Sequence, residues 1–117
     1  MTQATDQRFI IEMGSGNDQY GMDYTKAAAR AIEDAIRHST IPMFDALGLD
    51  PAEMRVQVTI GVQKPEEVDC DALVKHLPRG RASVSAVFGG MNLTNPDTGN
   101  VTVIASAAVE AFLPPQA

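Results

Sequence analysis

The sequence contains no tryptophan, and with a net charge of -6 it has no cluster of Lys or Arg to offset its acids. A nucleic-acid partner is therefore not expected, because there is neither a cationic footprint nor a broad stacking platform. A single cysteine, Cys70, excludes an internal disulfide and a cysteine-based metal site. Its neighbours Asp69 and Asp71 disfavour the thiolate, which argues against a nucleophile. The two histidines, His38 and His76, have no partner at metal-ligand spacing, so no metal and no cofactor are expected. No apolar run reaches membrane length and no basic-then-apolar leader opens the chain; the expected location is the cytoplasm, with no membrane partner.

What is present fits one ordinary folded domain: 117 residues, 44% apolar and 21% charged. Residues 1–7 are polar and aperiodic and read as a flexible tail, leaving a single α+β domain over 8–117. A chain of this size gains from extra burial through self-association.

Phe9, Ile11 and Met13 alternate with Arg8, Ile10 and Glu12, a strand pattern whose first set is the expected core face. From Thr25 to about Phe44 the period becomes helical, with Ala28, Ile32, Ala35, Ile36 and Ser39 on one stripe. Arg30 with Asp34, and Glu33 with Arg37, read as exposed pairs four apart. The narrow, alanine-rich stripe predicts a helix lying close on a sheet. Pro42 and Gly48 close the segment. Met54, Val56, Val58, Ile60 and Val62 alternate with polar residues and predict the clearest strand. A short acidic helix around "PEEVDCDALVKHLP" follows, ending at Pro78 and Gly80. Ala82, Val84, Ala86 and Phe88 predict another strand that meets Gly89-Gly90, and "TNPDTGN" is a turn joining the last two strands as a hairpin.

The predicted order is thus β-α-β-α-β-β, a mixed four-stranded sheet with helices on one face. Its second face carries Ile10, Val87, Ile104 and Ala108 and needs cover, for which another subunit is the natural source.

Three places could carry chemistry. The connection "GSGNDQYGMD" lies beyond a strand end and before a helix, where ligands collect in open α/β sheets. Its glycines match no dinucleotide or phosphate fingerprint, and Gly14 and Gly16 are equally explained by turn geometry. Lys26, in the first helical turn, opposes the helix dipole and needs an acid; Asp23 and Glu12 are the candidates. It reads either as a local ion pair or as a cation aimed at an anionic or carbonyl ligand. Ser83, Ser85 and the pair Gly89-Gly90 form the third place, where main-chain N–H groups could hold a carbonyl or carboxylate, or where a bulge sits.

The stretches "FIIEMGSGNDQYGMDYTKAAARAIEDAI", "VTIGVQKPEEVD", "LPRG" and "VFGGM" resemble a small bacterial family of conserved hypothetical proteins, over nearly the whole chain. Glu12, Gly14, Gly16, Gly21, Asp23, Thr25 and Lys26 occupy the positions of that family's opening pattern. In fold, the order of elements is similar to the chorismate-mutase-like and YjgF-like architecture, whose members associate as trimers with ligand sites between subunits. Ring-opening amidohydrolases, which act on cyanuric acid and barbiturate, resemble three such units in one chain with Ser-Lys pairs. The resemblance implies that Lys26 corresponds to such a lysine, whereas Phe88-Gly89-Gly90 stands where Ser-Gly-Gly is the pattern, so the chain departs from that pattern at the nucleophile.

Together these features lead to an expected homo-oligomer, a trimer or multiple of three, with a small-molecule site at the subunit interface. Lys26 and Glu12 would be its working pair in cyclic-amide or related carbonyl chemistry, and Gly14, Ser15, Gly16, Asp23, Ser85, Gly89 and Gly90 would line it. The alternative is a non-catalytic binding or assembly module in which Glu12 and Lys26 form a structural interface ion pair.

Overall fold

The computed structural model describes residues 7–37, 54–77 and 81–113, the side chains of Phe9 and Ile10 excepted. Five strands, β1 (Gln7–Asp18), β2 (Arg55–Val62), β3 (Arg81–Phe88), β4 (Met91–Thr94) and β5 (Val101–Leu113), form one sheet. Helix α1 spans Tyr24–Arg37, a 3-10 turn covers Pro65–Glu67, and α2 covers Cys70–Val74. Gln7, expected in the tail, belongs to β1. The expected helix content after Arg37, with His38, Pro42 and Gly48, lies outside the described residues, as do Pro78 and Gly80.

The lanes run β1-β5-β2-β3, and β4 also pairs with β5. Strand β5 is antiparallel to β1, β2 and β4, whereas β2 and β3 are parallel. The β1–α1–β2 connection therefore passes over the lane of β5, and the connection through α2 joins neighbouring strands. Tyr24, Ala27, Ala28, Ala31, Ile32 and Ala35 of α1 and Leu73 of α2 share one core with the inward residues of β2 and β5. Both helices thus cover the same face, as the α+β pattern predicts.

Among the described residues the sheet has one strand more than expected, because the run after Arg81 is two strands. At Gly89-Gly90 the chain leaves the edge lane beside β2 and enters the lane next to β5 just beyond the end of β2. A Cβ on Gly90 would lie 2.2 Å from the Ile104 carbonyl oxygen and 2.8 Å from that of Gly61, and its φ is +60°. Only a residue without a side chain passes there. The predicted hairpin joins β4 to β5, with Asn95 accepting from Asp97 N–H through its side chain at 2.9 Å.

Strand β1 turns its other side to the core. Met13 is 70% exposed and Ile11 42% exposed, whereas Gly16 and Asp18 are buried. A Cβ built on Gly14 would stand 2.4 Å from Ala35 N, and one on Gly16 2.4 Å from Ala31 N. The helix backbone rests directly on these two glycines. Neither has a positive φ, so the turn reading does not account for them; close approach of α1 does. The apolar side chains of Ile11 and Met13 lie on the face that no described helix covers.

Candidate functional site

Helix α1 runs back along β1, so its first turn lies level with Asn17 and Asp18 and its last turn with the start of the strand. Arg30 Nη1 donates to the Asn17 carbonyl oxygen, and Asp34 Oδ2 accepts from Ser15 N–H at 3.0 Å. These two residues, read from sequence as an exposed pair, instead satisfy the outer rim of β1. An edge closed in this way cannot recruit a further strand there.

At the helix start Asp23 is the N-cap, its Oδ1 accepting from Lys26 N–H at 3.0 Å. Its own N–H donates to Asp18 Oδ2 at 2.9 Å. Asp18 is 3% exposed, and Lys26 Nζ and Arg30 Nη1 each lie 3.7 Å from its Oδ1. The buried acid and both cations clamp the end of β1 to the start of α1. Glu12, expected to orient Lys26, lies at the other end of the helix: Lys26 and Arg37 are separated by roughly 16 Å of axis. Among the described residues the acid of Lys26 is Asp18. Asp18 shares the strand parity of Gly14 and Gly16, and that parity is the signal from which its burial could have been read.

Other contacts at this end fix the same junction. Asn92 Nδ2 donates to Tyr24 Oη at 2.8 Å, and Asn92 Oδ1 is buried without a partner among the described residues. Thr25 Oγ1 accepts from Asp69 N–H at 2.8 Å, tying α1 to the start of α2. The main chain of the glycine pair is already engaged: Gln63 Nε2 donates to the carbonyl oxygens of Gly89 and Gly90, and Gly89 N–H donates to Val62. Of the two N–H groups expected to cradle an anion, that of Gly89 is therefore taken up by the strand crossing.

The uncovered face holds a shallow groove of about 560 Å³. Met13, Ser15, Thr59, Gly61, Ser106 and Ala108 line it, with Asp34 at the rim of β1. Across the strands, Met13, Ala108, Thr59 and Ser85 stand in one row and Ser15, Ser106, Gly61 and Val87 in the next. Of the predicted ligand residues, Gly14 and Ser15 border this groove and Ser85 extends its row, whereas Lys26 and Asp23 sit with Asp18 on the helix side. Thr59, Ser106 and Ala108 were missed, since hydroxyl and methyl groups on a strand carry no signal until neighbouring strands are aligned. Beyond the groove, Val87, Met91 and Leu93 are exposed. At its opposite end Arg55 lies 4.1 Å above the Phe112 ring, and Arg8 pairs with Glu110 at 3.0 Å.

Among the described residues no helix is long and apolar enough to cross a membrane. No curated protein matches the chain. An FtsZ-like protein of unknown function from Nostoc punctiforme, solved at 1.22 Å, is 35% identical with a TM-score of 0.82, over 95% of this chain and 98% of its own. A family model of conserved hypothetical proteins matches residues 8–111. With the glycine-seated helix and the strand crossing at Gly89-Gly90 now in view, the chain belongs to that family, the Lin0512 family of conserved hypothetical proteins.

Proposed function

We propose that the protein is an assembly module whose subunits meet across the uncovered face of the sheet. The observation that carries this reading is that one face bears Ile11, Met13, Val87, Met91 and Leu93, each between 42% and 70% exposed. Soluble monomers rarely leave so many large apolar side chains open on one face. Four lanes about 4.8 Å apart and strands rising ~3.3 Å per residue make a face of roughly 35 by 19 Å. That is on the order of 650 Å², near the ~800 Å² each partner contributes to a standard interface. A second copy of the chain supplies the matching surface, and the trimers of the chorismate-mutase-like architecture are one arrangement of it.

A second reading rests on the groove. Its hydroxyls, Ser15, Thr59 and Ser106, and its small Gly61 and Ala108 would suit a small polar, carbonyl-bearing molecule held between copies. Neither reading includes a reaction: Lys26 is occupied by Asp18, and fold likeness supplies no chemistry.

Sedimentation of the wild type against Met13→Glu and Met91→Glu tests the assembly. Both positions are solvent-facing in one subunit, so the fold should survive while the oligomer dissociates. Unchanged sedimentation of both variants would remove the reading. For the groove, Thr59→Val should leave the assembly intact and abolish binding in a screen of cyclic amides and small carboxylates; absence of any wild-type hit would remove the second reading.

A further inference from the structure

The two rims of the sheet are built differently. On β1, Asp34 and Arg30 occupy Ser15 N–H and the Asn17 carbonyl. On β3, Arg81 N–H donates to Met54 and Gly89 N–H donates to Val62, both on the β2 side. By alternation the main-chain groups of Ala82, Val84, Ala86 and Phe88 face outward, and no bond to them is present among the described residues. Strand β3 also has no proline and, between Ala82 and Phe88, no charge, so among the described residues it lacks the usual protections of an edge.

We infer that β3 is a dimerisation edge, which pairs antiparallel with β3 of a second copy and joins two sheets into one. The pairing follows from which groups face outward. Hydrogen-bonded pairs must use Ala82, Val84, Ala86 and Phe88, and the register that engages all four sets Ala82 against Phe88 of the other copy and Val84 against Ala86, with about eight main-chain bonds. This register leaves Ser85 opposite itself on the two-fold axis, where hydroxyls can bond. It also seats the largest exposed side chain of the strand, Phe88 at 74%, against the smallest, Ala82. Arg81 falls opposite Gly89, so the one charge of β3 never faces its own copy. A strand complementary to itself in size and charge argues for another copy of this chain as the occupant. The surface is distinct from the uncovered sheet face, and either could operate without the other.

Cysteine cross-linking in a Cys70→Ser background reads the register. Across a non-hydrogen-bonded antiparallel pair the Cα atoms are about 4.5 Å apart, within disulfide range. Ser85→Cys should form a disulfide dimer at least tenfold faster than Ser83→Cys, whose two copies would stand about 13 Å apart. Ala86→Pro removes an outward N–H without touching the β2 ladder, so it should abolish edge dimers and leave far-UV circular dichroism unchanged. The Ser85→Cys cross-link should persist when Met91→Glu has opened the sheet-face contact. Equal rates for the two cysteine variants, dimers surviving Ala86→Pro, or loss of the cross-link with Met91→Glu would each overturn the inference.

Discussion

Replacing Gly16 by alanine tests how α1 is seated. In most strands this change is neutral or helpful, because alanine restricts the unfolded chain and is worth about 0.4–1 kcal/mol where the conformation permits. Here the new methyl would lie 2.4 Å from Ala31 N and 2.6 Å from the Ala27 carbonyl oxygen. Both are helix backbone, which cannot rotate away as a side chain can. Restoring ordinary contact means lifting the helix by about 1 Å, and a gap of that size forfeits a quarter to a half of the dispersion along the seam. Overpacking typically costs ~1–3 kcal/mol, and the lost dispersion offsets the entropic gain, so the expected loss is about 1–3 kcal/mol. Against a total of about 5–15 kcal/mol for a domain, that is large. Urea unfolding followed by circular dichroism at fixed protein concentration should show the midpoint falling by about 1–2 M. Gly61→Ala is the control, since its methyl would meet nothing nearer than 3.4 Å. A Gly16→Ala protein within about 0.5 kcal/mol of wild type would refute the helix-seat argument.

Asp18→Asn should cost about 1–3 kcal/mol in the same assay, because it leaves Lys26 and Arg30 converging on a neutral buried group; Lys26→Ala should cost under about 1 kcal/mol, its side chain being half in water and Arg30 still in place. A larger loss from Lys26→Ala than from Asp18→Asn would contradict the clamp. Asp34→Ala should accelerate amide exchange at Ser15 while changing stability by less than about 1 kcal/mol; undiminished protection would mean another group holds that N–H. Burial first, then Asp71 and Asp69, push the Cys70 thiol above its ordinary value. Its alkylation should therefore lag behind a free thiol at neutral pH and still be rising where the free thiol has levelled off.

The alternation of β2, the alanine stripe of α1 and the turn at "TNPDTGN" were all legible in the sequence, because each declares itself through side chains at a fixed period. The buried side of β1 was not. A glycine announces nothing about what presses on it, so Ile11 and Met13 outweighed Gly14 and Gly16 although the helix lies on the glycines. The pairing of Lys26 with Glu12 failed for a related reason. Proximity along the chain suggested it, but an antiparallel helix carries Lys26 to the far end of the strand, where Asp18 is waiting. The split of β3 from β4 was only half visible: Gly89-Gly90 marked a break, while the change of lane depends on where β2 stops.

Strand β5 lies between β1 on one side and β2 and β4 on the other, yet it is made after all of them. During synthesis the earlier strands emerge with an empty slot at the middle of their sheet. Strand β1 has no strand neighbour, and β2 has only β3, until the residues after Val101 have left the ribosome. Among the described strands the sheet is therefore closed at its middle by β5, a joining step rather than a progressive one.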